Sequence, residues 1–127
     1  LRHLDEHIAG KEAIYRRYET GLKGLPVRMN PYLPNSRPNF WLSCMTIGPG
    51  CPVTPEEIRL ALEKENIESR PIWKPMHLQP VFAAHDFITA GDNVGEDIFA
   101  RGLCLPSDIK MTDADMERVI SVIRGLF

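Results

Sequence analysis

Four side chains suited to holding an anionic ligand fall together in one short run of this chain, SRPIWKPMHLQP: Arg70, Trp73, Lys74 and His77. Arg70 offers a planar fork of donors matched to phosphate or carboxylate, and Lys74 offers a mobile point charge. Trp73 supplies a flat apolar face for a base or a sugar ring. His77 can take up or release a proton near neutral pH. Pro71, Pro75 and Pro80 restrict the backbone around them, which lowers the entropy cost of presenting those groups. Such a set suits an anion with a planar or ring part, such as a nucleotide-linked metabolite. The same residues also suit an edge strand entering a proline-rich surface turn, with Trp73 in the core and Arg70 paired to a helix. The residues alone leave both readings open.

Other chemistry-bearing groups read as structural. His3 and His7 share a helical face at a metal-type spacing, but no third ligand lies near and the face is charged. His85 sits in an irregular stretch and reads as a loop residue. Glu56, Glu57, Glu63, Glu65, Asp113, Asp115 and Glu117 fall at helix starts or on outer faces. There they complement the helix dipole rather than form a contrasting acid–base pair. GPG at 48–50 is too short for a phosphate-binding glycine loop, and no serine has a nucleophile-elbow context. The chain carries no complete catalytic apparatus of its own.

The elements that must position the run follow from periodicity. Leu1, Leu4, Ile8, Tyr15, Tyr18 and Leu22 step through an amphipathic helix already under way at residue 1 and ending near residue 22. Its apolar stripe calls for a partner surface along its whole length. A chain cut inside or just before a connecting helix accounts for that start better than the alternative, a natural N-terminus after tag removal with an uncapped helix. Four prolines make residues 24–39 an extended, looping connection. FWLSCMTI, residues 40–47, reads as a strand. Thr54, Pro55 and Glu57 open a capped helix with Ile58, Leu60, Ala61 and Leu62 available for burial, and Asn66 stops it. IESRPIWK, residues 67–74, reads as a second strand, with Pro71 implying an edge or a strand end. Asn93, Glu96 and Gly102 bound a third helix, LCLPS (103–107) is a short third strand, and Thr112 caps a last helix. Met116, Val119, Ile120, Ile123 and Phe127 form the buried stripe of that last helix. Alternation of this kind is compatible with a doubly wound parallel sheet, but the strand count equally suits a small sheet with helices on one side.

At 127 residues, 25% charged and 43% hydrophobic, the chain suits one domain with its own core. A net charge of −2 advertises no basic surface for nucleic acid. No apolar run approaches the ~20 residues that span a bilayer, and no signal peptide is visible. Cys44, Cys51 and Cys104 lack metal-type spacing; Cys44 and Cys104 read as small buried residues, and a reducing cytoplasm is the expected compartment.

IESRPIWKPMHLQPVF followed by GEDIFARGLCLPSDIKMTDADMERVI resembles the C-terminal part of the DegT/DnrJ/EryC1/StrS family of pyridoxal-phosphate-dependent sugar aminotransferases, and HLDEHIAGKEAIYRRYETGL and NFWLSCMTI fit in the same order. The resemblance covers almost the whole chain. It implies an α/β (α+β-like) fold: a small sheet of about three mainly antiparallel strands packed with four helices, the small domain of the aspartate-aminotransferase (fold type I) architecture. Residues 1–127 then form a C-terminal small domain opening with a connecting helix, 1–23. The cofactor domain, with its Schiff-base lysine and its aspartate for the pyridinium nitrogen, lies outside this chain. The resemblance further implies a homodimer in which glutamate supplies the amino group to a 4-keto-6-deoxy sugar nucleotide, UDP-linked, for surface polysaccharide or glycan synthesis. No pyridoxal phosphate is expected on the fragment, and Lys74 is not the Schiff-base lysine. Trp73 and Lys74 lie where family members touch the nucleotide sugar, with Arg70 and His77 flanking, and His77 able instead to anchor the turn. The rival expectation is a stand-alone nucleotide-sugar-binding or regulatory module without catalysis.

Overall fold

The computed structural model describes residues 2–127. Helix α1 spans Leu4–Gly21, strand β1 Val27–Met29, β2 Ser43–Ile47, α2 Pro55–Lys64, β3 Arg70–Pro71, α3 Val94–Arg101, β4 Gly102–Leu105 and α4 Asp113–Arg124. The strands form one sheet in the order β1-β2-β4-β3, and every neighbouring pair is antiparallel. The fold class is therefore the expected one, with four helices and a small antiparallel sheet, and with β1 as an added fourth strand.

β1 lies inside the proline-rich connection that reads as loop. Its three residues fall between Pro26 and Pro31 and pair with Ile47, Thr46 and Met45. A strand this short and at an edge gives no periodicity to detect, because only one of its neighbours is another strand. All three expected strands are shortened, β4 ending at Leu105 rather than Ser107. β2 begins at Ser43 rather than Phe40, and β3 keeps only Arg70 and Pro71 of residues 67–74. β3 pairs with β4 alone, so Pro71 occupies the edge position that proline tolerates.

The core sits between one face of the sheet and α1, α2 and α4. Met29, Met45, Ile47, Leu103 and Leu105 meet Tyr18, Ile58, Leu62, Val119 and Ile123 there. α3 contributes no buried residue. Along β2, Ser43, Met45 and Ile47 are buried while Cys44 and Thr46 are half-buried, the period of a strand with one covered face. The stripe on α1 is only half covered. Ile14, Tyr15, Tyr18 and Leu22 are buried, whereas Leu4 remains 48% exposed. Two further expected core positions are exposed: Leu60, two residues from both Ile58 and Leu62 and so off their face of α2, and Phe127 beyond α4.

Local chemistry sets the helix ends. Thr54 and Glu57 exchange bonds as a capping box, and Thr112 and Asp115 do the same on α4. Asn66 adopts φ 57°, with Asn66 N–H donating to Glu63 O and Ile67 N–H to Leu62 O. This is the left-handed C-terminal closure that asparagine accepts after glycine. Among the described residues, no helix is long and apolar enough to cross a membrane.

Candidate functional site: a groove between two tryptophans and the start of α4

The face of the sheet away from the core carries alternate residues of each strand. Arg70 on β3 pairs with Cys104 on β4, and Cys104 with Cys44 on β2. Above the β3–β4 edge opens a groove of about 760 Å³, lined by Trp41, Arg70, Trp73, Cys104, Lys11 and Arg118 among others. Arg70 and Trp73 thus share one site. Lys74 and His77 are not part of its lining.

Trp73 is 65% exposed and Trp41 64% exposed, with ring centroids 6.4 Å apart at 40°. The reading that puts Trp73 in the core is therefore overturned. It follows Ile72 out of an edge strand only two residues long, so no second layer lies over it. Trp41 went unnoticed in sequence because FWLSCMTI reads as continuous strand. Its placement comes from Phe40, which sits at φ 51°, a backbone region uncommon for a bulky residue. The Trp41 N–H donates to Asn39 Oδ1 at 3.0 Å, closing a turn that asparagine forms readily. The turn sends the Phe40 ring against Tyr15 and Tyr32, with centroids at 5.0 and 5.5 Å. Phe40 is buried as a result, and its neighbour Trp41 is left at the groove. The usable signal was Asn39 immediately before two aromatic residues.

Arg70 is exposed and pairs with Glu68, its Nε donating to Glu68 Oε1 at 2.8 Å. Both partners are open to water, so this pair is weak and exchangeable. Lys74 is exposed, and its carbonyl accepts from Gln79 Nε2 at 3.3 Å. His77 lies in a short 3₁₀ turn, Met76–Leu78. Its Nε2 is 2.6 Å from Glu96 Oε1, and its ring stacks on Phe87 with centroids 3.7 Å apart at 18°. Asn93 caps α3 and also donates to Glu96. His77 therefore ties the proline-rich run to the start of α3, the anchoring role given as its alternative.

Most of the other polar candidates are engaged structurally. His3 meets Glu6 at 2.9 Å on the surface. Arg59 spans Glu56 and Glu63, and Arg118 pairs with Glu65. Asp113 takes Arg17, which holds α1 to α4. Glu57 and Asp115 are held below the usual carboxylate range by hydrogen bonds from Thr54 and Thr112.

Residues 1–124 match the model of the DegT/DnrJ/EryC1/StrS aminotransferase family. The chain belongs to that family. It is 41% identical over 130 residues to EpsN of Bacillus subtilis, named as a pyridoxal phosphate-dependent aminotransferase, covering 100% of this chain and 33% of EpsN. It is 34% identical over 127 residues to a GDP-perosamine synthase of Caulobacter vibrioides, covering 97% of this chain and 33% of that protein. A solved DegT DnrJ EryC1 StrS aminotransferase from Brucella abortus aligns with a TM-score of 0.82 at 26% identity, over 99% of this chain and 32% of that one. The chain spans about a third of the length of the curated relatives it matches.

DegT/DnrJ/EryC1/StrS aminotransferases depend on pyridoxal phosphate, which needs a lysine for its aldehyde and a carboxylate at its ring nitrogen. Lys11 is the lysine that lines the groove, and its Nζ donates to the Ser107 carbonyl. Glu68, Asp108 and Asp115 also line the groove, but their carboxylates are committed to Arg70, the Lys110 N–H and the Thr112 cap. Lys74 stands outside the lining. The groove residues do not fit the cofactor by themselves.

Proposed function

We propose that this chain is the C-terminal small domain of a pyridoxal-phosphate-dependent nucleotide-sugar aminotransferase and is inactive alone. The complete enzyme is a cytoplasmic homodimer that moves an amino group from glutamate to a 4-keto-6-deoxy sugar nucleotide for surface-glycan synthesis. The observation that carries this reading is the family match over 124 residues in a chain one third the length of its relatives.

The cofactor, held by the rest of the polypeptide, supplies the electron sink for amino transfer. The residues here bind and orient. Trp73 and Trp41 offer two exposed ring faces to the base or sugar. Arg70 releases Glu68 and turns its guanidinium to a phosphate, a stronger charge-assisted partner. Lys74 adds a positive charge beside the groove, and His77 holds the run that carries these groups.

In the complete enzyme, Trp73→Ala is expected to raise KM for the sugar nucleotide about tenfold, the size of one lost stacking contact. Lys74→Ala is expected to raise it by less, and the effect shrinks as salt rises. Unchanged affinity in both variants removes the ligand role. The 127-residue chain, mixed with pyridoxal phosphate, glutamate and a keto-sugar nucleotide, is expected to give no amino sugar. Turnover by the chain alone defeats the small-domain reading.

Uridine is the carrier implied by the family branch that the sequence resembles. A guanosine carrier has its own support in the Caulobacter relative, which is named for a GDP-sugar. Parallel assays of the complete enzyme with UDP- and GDP-linked keto sugars decide between them by the ratio of kcat/KM.

A further inference from the structure

Two cysteines face each other across the middle of the sheet, and the ligand reading above uses neither. Cys44 on β2 and Cys104 on β4 are direct cross-strand partners, and their Sγ atoms lie 3.4 Å apart. Cys44 turns its main-chain groups away from β4. Its carbonyl accepts from the Asn30 N–H at 2.8 Å, and its own N–H donates to Asn30 Oδ1 at 2.9 Å. The Cys44–Cys104 pair is therefore the non-hydrogen-bonded kind, in which α-carbons approach to ~4.5 Å and side chains lie closest. That spacing falls at the short end of what a disulfide bridges, about 4.4–6.8 Å. Cys104 also lines the groove, together with Trp41 and Trp73, which opens a path to its sulfur for a small reagent even though the residue is 8% exposed. The two sulfurs share a hydrogen bond. That bond favours thiolate at Cys104 despite burial, and the same bond, with burial, pushes the Cys44 thiol up.

We propose that Cys44 and Cys104 are a site of reversible thiol oxidation at the groove, reached through Cys104 in its lining, closed to a disulfide by a peroxide and reopened by a dithiol. The Cys104 thiolate attacks one peroxide oxygen. An S–O bond forms, the O–O bond breaks, and hydroxide leaves to become water. Cys44 Sγ then attacks the sulfenic sulfur of Cys104. The S–S bond forms, the S–O bond breaks, and the oxygen departs as water with the Cys44 proton. Two thiols lose two electrons in total, and one peroxide becomes two waters. The bond ties the two interior strands together at the groove that Trp41 and Trp73 also line. Thiol–disulfide exchange with a dithiol reverses it. The site stands independently of which ligand the groove takes, because its test reads sulfur alone.

The 127-residue chain is treated with one equivalent of hydrogen peroxide, alkylated after denaturation, and mapped by mass spectrometry. The expected product has lost two hydrogen atoms, contains a peptide carrying Cys44 linked to one carrying Cys104, and regains both thiols with dithiothreitol. Cys51, the third free cysteine, stays alkylated, and Cys51→Ser leaves the linkage intact. In Cys44→Ser, checked for native circular dichroism, a sulfenic acid at Cys104 accumulates and is captured by dimedone. Three alkylated cysteines after peroxide, a bond involving Cys51, or a link only between two chains each overturns the proposal. If Cys44→Ser fails to fold, the wild-type peptide map decides alone.

Discussion

His77 joins a proline-rich run to a helix start through three contacts: Glu96, Asn93 and the Phe87 ring. The histidine side chain is 16% exposed and its glutamate partner 42%, so this pair is worth more than an open surface pair and less than a buried one. His77→Ala is expected to cost ~1 kcal/mol in global stability and to speed amide exchange within residues 76–93. If exchange there is unchanged while ligand affinity drops, His77 is a ligand contact and not an anchor. Tyr18 makes a comparable bond from a fully buried position, its hydroxyl donating to the Pro106 carbonyl at 2.8 Å. Tyr18→Phe leaves that acceptor without its donor and is expected to cost about 1–2 kcal/mol in urea denaturation.

At the scale of elements, the caps and one junction are the sensitive points. Thr112→Ala removes the reciprocal bond at the start of α4 and is expected to lower stability by ~1 kcal/mol at neutral pH. The pH dependence follows from the carboxylates. Asp115 is held below its unfolded range by Thr112, and Glu57 by Thr54. Their contribution is complete above the ordinary carboxylate pKa of about 4 and disappears as pH falls through the lowered native values. Wild-type stability should therefore drop in acid. Thr112→Ala should flatten part of that drop, seen as denaturation midpoints converging below about pH 4. At the α3–β4 junction, a Cβ on Gly102 would overlap the Ile98 carbonyl and the Ile72 side chain. Gly102→Ala is expected to destabilise by about 1–3 kcal/mol. Gly24→Ala, where φ is +89° and the surrounding space is open, should cost about 1 kcal/mol from backbone strain alone.

Across the whole molecule, one core joins three helices to one side of the sheet. Ile58 and Leu62 on α2 are fully buried. Leu62→Ala is expected to cost about 2–5 kcal/mol, because rigid neighbours on the sheet and on α4 close the cavity only partly. The groove opens at the β3–β4 edge beside the start of α4, with two large aromatic rings open to water. With so little of its ring covered, Trp41→Ser is expected to leave stability within ~0.5 kcal/mol of wild type. A larger loss would make Trp41 a folding residue instead.

Helix positions, their caps and the edge status of β3 were legible because each rests on neighbours within a few residues: Thr54 with Glu57, Thr112 with Asp115, and Pro71 with its missing donor. The family was legible for a related reason, since a run of specific residues in a specific order survives being read as a string. Half of the groove was legible too, in Arg70 and Trp73. What the string could not reveal depends on residues far apart along it. β1 exists only because Ile47 and its neighbours give a three-residue segment something to pair with. Trp41 enters the site only because Phe40 finds Tyr15 and Tyr32. His77 stands outside the groove lining, held to the start of α3 by Glu96, nineteen positions on. Cys44 and Cys104, sixty residues apart, meet only through the register of β2 on β4. Local sequence determines which conformations each segment prefers; which side chains then share a site is decided by strand register and core packing, whose energies arise from contacts made only once the chain has folded.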